Sequence, residues 1–343
     1  MIRSMKRSQT TPFLVAVTLG IFTVLAGPGI AADPLPSWND SSAKHAVLGF
    51  VAKVTNEGSA DFVPEADRIA TFDNDGTLWV EQPIYTQLAF ALDRLRSMAP
   101  QHPEWKTQQP YKSVLDGDLE TLKTGGKHAL EQIIAATHAG MTSDDFDKIT
   151  SDWISTAQHP RFKRLYTECV YQPQLELLKY LRENGFKTFI VSGGGIEFMR
   201  PWTERVYGIS SPQVVGSSIA TEFQFVDGQP VLMRLPKVNF VDDKAGKPVG
   251  IGQHIGKRPI LAVGNSTGDL EMLQYTTGGS GARLGLLVYH NDAEREYAYG
   301  PAGGLPDSKI GTFPQSLMDD ATENGWIVIG MKENWNQIFP SVP

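Results

Sequence analysis

The chain has 343 residues, 41% of them hydrophobic and 20% charged, and a formal net charge of −7. That is ordinary for a globular protein, enough for one large α/β domain with an insertion or for two domains. An acidic chain without a Lys/Arg-rich run is a poor nucleic-acid binder, and a single cysteine, Cys169, excludes an internal disulfide.

At the amino terminus Arg3, Lys6 and Arg7 precede an uncharged stretch over residues 13–26, followed by Gly29-Ile30-Ala31-Ala32. This is the n-region, h-region and small-residue cleavage pattern of a secretory signal peptide. The apolar run is short against the roughly 20 residues needed to span a bilayer. No cysteine there can take a lipid. The pattern predicts a signal peptide over residues 1–31, cleaved after Ala31 or Ala32, hence a periplasmic or secreted protein with no stable membrane anchor. Losing its three positive charges takes the net charge from −7 to −10.

Residues 33–40 read as a polar linker with two prolines, and residues 43–55 as a helix. The β-prone run Ile69-Ala70-Thr71-Phe72 then ends in Asp73-Asn74-Asp75-Gly76-Thr77. Side chains two apart on an extended chain share a face, and open α/β sheets bind ligands beyond the carboxyl ends of their strands. Asp73 and Asp75 are therefore placed to collect a hard cation such as Mg²⁺ or to divide nucleophile and acid/base roles. Taken alone, the same residues also suit an acidic β-turn.

From Gln82 to Cys169 helical signals dominate, over residues 85–98, 128–138 and 143–156. Asp73 and Ser192 lie 119 residues apart, too far for a simple βαβ crossover of about 30 residues. The surplus, residues 82–169, predicts an inserted helical cap of the kind that excludes water and selects a leaving group. Glu81, Gln82 and Tyr85 stand at its hinge, where a rim position is the plainer reading and substrate contact the sharper one. Cys169 reads as a small core residue.

Residues 173–187 place Leu175, Leu178 and Leu181 at helical spacing, with Asn184-Gly185 as a stop. A buried strand over 188–191 runs into Ser192-Gly193-Gly194-Gly195, whose glycines let backbone N–H groups approach an anion. Strands over 222–226 and 231–235 flank Asp227-Gly228, a hairpin signal, and the hairpin is expected to cover the core edge. Lys247 brings a compact positive charge, with Pro248 suited to the first turn of a helix. The Gly-rich run 250–257 lacks Walker spacing. A third strand over 259–263 ends in Gly264-Asn265-Ser266-Thr267-Gly268-Asp269. Gly278-Gly279-Ser280-Gly281 fits no strand–glycine–helix frame and reads as a loop. Strands over 284–289 and 326–329 complete a largely parallel sheet. His290-Asn291-Asp292 reads as a turn with a solvated histidine at the same carboxyl edge.

The motifs Phe72-Asp73-Asn74-Asp75-Gly76-Thr77, Val191-Ser192-Gly193-Gly194, Lys247 and Gly264 to Asp269, in that order, resemble the haloacid dehalogenase superfamily. Within it they are most similar to the phosphoserine-phosphatase-like branch. The resemblance implies an α/β fold with a Rossmann-like, mostly parallel core from residues 32–81 and 170–343, and the cap between the first and second motifs. It also implies Mg²⁺-dependent phosphoryl transfer through an aspartyl-phosphate. Asp73 would be the nucleophile and Asp75 the general acid/base. Ser192, Gly193 and Lys247 would hold the phosphoryl oxygens, and Asp73, Asp75, Asn265 and Asp269 would surround Mg²⁺. The family usually has Asp where this chain has Asn265; an amide oxygen still ligates Mg²⁺, but the site loses one negative charge.

The expected function is an exported, Mg²⁺-dependent phosphomonoesterase acting on a small phosphorylated metabolite, phosphoserine-phosphatase-like. The alternatives are a phosphocholine or broad-specificity acid phosphatase, and a phosphate-ester-binding protein without turnover, which Asn265 keeps open. A dehalogenase has no need of the second acid, Asp75. Since the mean field of an acidic protein repels phosphate esters, Mg²⁺ and Lys247 must supply the attraction.

Overall fold

In the computed structural model the described residues are Met1, 32–118, 121 and 124–341. Apart from Met1, the expected signal peptide lies outside them. Among the described residues no helix is long and apolar enough to cross a membrane.

Helix α1 (Ser42–Thr55) begins at Ser41, whose side chain accepts a hydrogen bond from the Lys44 N–H, and it buries Val47, Phe50, Val51 and Val54. Strand β1 (Ile69–Phe72) is buried at every position, as a central parallel strand covered on both faces must be. Helices α2 (Thr86–Met98), α3 (Tyr111–Asp116), α4 (Gly126–His138), α5 (Ser143–Ile154) and α6 (Gln172–Glu183) separate it from β2 (Lys187–Gly195). Then follow α7 (Ile196–Tyr207), β3 (Val214–Val226), β4 (Gln229–Phe240), α8 (Gly246–Gly250), β5 (Leu261–Gly264), α9 (Leu270–Thr277) and β6 (Leu284–Tyr289). The last elements are α10 (Gln315–Glu323), β7 (Ile327–Gly330) and α11 (Met331–Asn334).

The seven strands form one sheet in the order β4-β3-β2-β1-β5-β6-β7, parallel throughout except for β4. Phe72 at the end of β1 is level with Ile190 of β2 and Val263 of β5. The chain proceeds to one side of β1 through β2–β4 and to the other through β5–β7. The carboxyl ends of β1, β2 and β5 therefore border the crevice where such sheets bind ligands. The α/β, mostly parallel sheet expected from the sequence is the one observed.

The helices between β1 and β2 have partly their own core, in which Ala91, Leu92 and Leu95 of α2 meet Trp105, Val114 and Ile133. They are also joined to α7, because Phe90 of α2 packs against both Phe146 of α5 and Phe198 of α7, with ring centroids 5.8 and 5.3 Å apart. Each such buried aromatic removes enough apolar surface to contribute about 2–3 kcal/mol.

Two expectations change. Residues 33–40 are not a polar linker: Leu35 and Trp38 are buried, and Trp38 packs edge-on against Trp335 while its Nε1 donates to the Pro173 carbonyl. Two prolines and four polar residues hid a pair of apolar anchors. The hairpin is not a flap over the core edge either. Its strands run to 13 and 12 residues, β3 continues the parallel sheet beside β2, and β4 reaches the helical insertion at Met141 and Thr142.

Candidate active site

Asp73 follows β1 directly and its N–H donates to the Val263 carbonyl at 2.9 Å, which ties it to β5. The chain then turns sharply. The N–H groups of Thr77, Leu78 and Trp79 all point to the Asn74 carbonyl, while Gly76 adopts φ +72°. A side chain at Gly76 would strike Asn265 Nδ2 and Glu81 Oε1, at 2.1 and 2.3 Å from its Cβ, so glycine is required there for its backbone and for the space. The turn brings Trp79 Nε1 to within 2.9 Å of Asp75 Oδ1.

On β2 the register against β3 slips between Ser192 and Gly195. This bulge frees Gly193 and Gly194 from the ladder and re-aims the end of the strand. Ser192 Oγ accepts from the Gly194 N–H at 3.1 Å, leaving its own proton available, and Gly194 is so placed that a Cβ would lie 3.5 Å from Asp75 Oδ2. Helix α8 delivers Lys247, buried with 2% exposure. Its Nζ donates to Asp73 Oδ1 (2.7 Å), Asp269 Oδ1 (2.5 Å) and the Val191 carbonyl (3.0 Å). The second oxygen of Asp269 accepts from the N–H groups of Asn265 and Ser266. Both oxygens of Asp269 are thus committed to holding Lys247 and the turn after β5. Asn265 lies one layer deeper, with Oδ1 accepting from Thr77 Oγ1 and Nδ2 donating to Glu81 Oε1.

Asp73, Asp75, Ser192, Gly193, Lys247 and Asp269 all line one cleft of about 470 Å³. Asn265 stands behind it. Glu81, Tyr85, Gln87, His138 and Arg234, from the insertion hinge, the insertion and the hairpin, line the same cleft.

The electrostatics follow from burial. Asp73 is pushed well up by burial and by Asp269, against the opposing pull of Lys247. Burial raises Asp75 to about 6, with the Trp79 hydrogen bond and Lys247 opposing. Burial raises Glu81 to about 8, opposed by His290 and the Tyr299 hydroxyl, which donates to Glu81 Oε1 at 2.7 Å. Burial alone would lower Lys247, but Asp269 and Asp73 more than reverse it and keep the ammonium charged. His138 is held down to about 3 by burial and by the charges of Arg234 and Arg94. Its neutral ring therefore accepts at Nε2 from the Gln87 amide (3.2 Å) and donates at Nδ1 to Thr137 Oγ1 (2.8 Å).

This pocket is rich in buried carboxylate and has two buried cations, Lys247 and Arg234. Among the described residues no three His, Cys, Asp or Glu side chains make a ready-made metal cage. The donors nearest Asp73 are oxygens: the carboxylates of Asp73 and Asp75 in the cleft, the Asn265 amide behind it, and the main-chain carbonyls of the turn. That set fits Mg²⁺, which takes one or two carboxylates and keeps several waters, and a cation would offset the burial that raises Asp73 and Asp75 and the repulsion between Asp73 and Asp269.

Glu81 and His290 differ from their sequence readings. Glu81 is no rim residue but lies 2% exposed beside Asn265, and His290 is no solvated turn residue. Its Nε2 meets the Gly76 carbonyl at 2.7 Å and its Nδ1 meets Glu296 at 3.1 Å, so it pins the turn that carries Asp75. Burial would lower His290, but Glu296 and Glu81 raise it. Gln82 leaves the cleft and donates to Ser308 Oγ and the Ile310 carbonyl.

A family model for haloacid dehalogenase-like hydrolases matches residues 70–274, the stretch that contains every one of these motifs. The chain belongs to this hydrolase family. Among solved structures it is similar to a conserved protein of unknown function from Anaerococcus prevotii, at 15% identity and TM-score 0.50, covering 75% of this chain and 87% of that one. A protein of unknown function from Bordetella pertussis is 15% identical with TM-score 0.48, covering 77% of this chain and 98% of that one. A phosphoserine phosphohydrolase-like protein from Francisella tularensis is 15% identical with TM-score 0.37, covering 65% and 88%. No curated protein sequence matches the chain. At this identity the first of these likenesses speaks to the fold alone.

Proposed function

We propose that this hydrolase is an exported, Mg²⁺-dependent phosphomonoesterase that acts on a small organic phosphate through an aspartyl-phosphate on Asp73. The observation that carries the reading is the Lys247 bridge: one buried ammonium touches both Asp73 and Asp269 at the floor of the cleft that Asp75 and Ser192 line.

Asp73 attacks phosphorus in line with the ester oxygen, forming one P–O bond as the other breaks. Asp75, raised to about 6, holds the proton that the departing alkoxide needs. Ser192 Oγ and the freed N–H of Gly193 hold phosphoryl oxygens, while Lys247 keeps the Asp73 carboxylate fixed and offsets its charge. Asp75 then takes a proton from water as the water attacks phosphorus. The Asp73–phosphorus bond breaks and inorganic phosphate leaves. Asp73, the turn at Asp75 and Asn265 would hold Mg²⁺, with the Glu81 carboxyl group hydrogen-bonded behind Asn265. When bound, Mg²⁺ would screen the carboxylates from the phosphate and neutralise charge on the phosphoryl group. The amino-terminal pattern of residues 1–32 supports export, and osmotic-shock fractionation followed by amino-terminal sequencing tests it.

The mature protein should hydrolyse p-nitrophenyl phosphate with Mg²⁺, stop in EDTA, and be inactive as Asp73→Asn. Turnover undiminished in Asp73→Asn would overturn the mechanism. Asn265 favours one second reading, a phosphate-ester-binding protein, which tight binding without turnover would establish.

A further inference from the structure

Strand β4 is patterned the wrong way round for a strand that merely covers a core. Its apolar residues Leu232 and Val238 are about half exposed, whereas the one buried position in the strand is Arg234, at 2% exposure. A buried guanidinium is costly unless its donors are used. Arg234 uses Nε, which donates to the His138 carbonyl at 2.7 Å, and its charge sits 4.0 Å above the centre of the Phe146 ring. Its Nη1 has no hydrogen-bond partner. Glu197 Oε2 is its ion-pair partner at 3.7 Å, too far for a hydrogen bond. A buried donor left open in a cleft wall calls for an acceptor.

The surroundings say what kind. The cleft that holds both the phosphoryl end and Arg234 is also lined by Leu88, Ile134, Phe198, Ile219 and Val238. The two ends are mechanically linked: Gln87 Oε1 accepts from the Gly195 N–H at 2.6 Å, its amide meets His138, and the His138 carbonyl holds Arg234. Resting on the phosphomonoesterase reading of the same site, we propose that Arg234 is a specificity residue. It receives a carboxylate-like anion at the far end of the leaving group, and the substrate is a phosphomonoester whose apolar body spans the cleft from phosphate to that anion. A small polar ester would leave the apolar wall wet and Arg234 Nη1 without a hydrogen-bond acceptor.

The probes are 3-(4-phosphonooxyphenyl)propanoate and its methyl ester, which share the ester bond and the aryl body and differ in the terminal charge. The wild-type protein with Mg²⁺ should prefer the acid by at least tenfold in kcat/KM, and Arg234→Gln should bring the ratio to within twofold of one. Glu197→Gln, which removes the competing carboxylate, should raise the ratio, and it decides the matter should Arg234→Gln fail to show a cooperative melt. Equal turnover of the two probes overturns the subsite and leaves the phosphatase standing. If neither probe turns over, p-nitrophenyl phosphate judges the phosphatase reading and calorimetric affinities of the same pair judge Arg234, with a tenfold preference for the acid upholding the subsite and equal affinities overturning it.

Discussion

Asn265 Nδ2 donates to Glu81 Oε1 at 2.7 Å, so the amide that stands where the family usually has a carboxylate is held by a carboxylate arriving from the insertion hinge. The carboxyl group missing at one position is present at its neighbour, where burial raises Glu81 from 4.5 to about 8 and holds it protonated at neutral pH until a cation binds beside it.

That shift has a sign that can be checked. Between about pH 4.5 and 8 the folded protein keeps a proton on Glu81 that the unfolded chain has released, so stability falls as pH rises through this window. Asp75 adds to the loss between its ordinary 3.8 and about 6. Urea denaturation in EDTA should show the wild type weaker at pH 8 than at pH 5 by on the order of a few kcal/mol. Glu81→Gln should flatten most of that difference. A wild type equally stable at both pH values would contradict the assignment.

Lys247→Met removes the cation that touches two buried carboxylates, Asp73 and Asp269. Breaking a buried pair from one side leaves uncompensated charge, at a cost of about 3–5 kcal/mol near neutral pH. Chemical denaturation should register that loss and show it shrinking at acid pH, where the orphaned carboxylates take up protons.

Trp79→Phe deletes the hydrogen bond to Asp75 Oδ1. Since that bond favours the ionised carboxylate, its loss raises Asp75 above about 6. With an alkyl phosphate, whose leaving oxygen needs a proton, the alkaline limb of kcat/KM against pH should move upward by ~0.5–1 unit. An unmoved limb would remove Asp75 from the acid role.

Mg²⁺ binding should be visible without turnover. At pH 8 added Mg²⁺ should raise the thermal midpoint of the wild type by several degrees, through binding to the folded state alone. Asp73→Asn should lose most of that increment. Equal midpoints with Mg²⁺ and with EDTA would argue against a cation among these carboxylates.

The residues legible in the sequence are those that follow a strand directly. Asp73, Ser192 and Asn265 each end or follow a short apolar run, and a parallel sheet brings such ends together whatever the loop lengths. Glu81 was obscured because its position depends on the turn around the Asn74 carbonyl, which folds the chain back under Asp75. Arg234 was obscured because β4 inverts the usual alternation, and a strand read from its apolar residues alone puts the arginine outside. His290 and Trp38 were misread for a shared reason. Each sits among turn-forming neighbours, and each is buried by a partner far away in sequence, Gly76 for the first and Trp335 for the second. The helical spans of the insertion were visible from their periodicity, but not which of their side chains enter the cleft.

The long hairpin is continuous with the strand beside Ser192, so the wall bearing Arg234 is built on the same rigid framework as the reaction centre. The separation between the two ends of the cleft is therefore fixed like the jaws of a calliper, and homologues that lengthen or retwist this ribbon should accept molecules of a different reach while leaving the bond-breaking apparatus untouched.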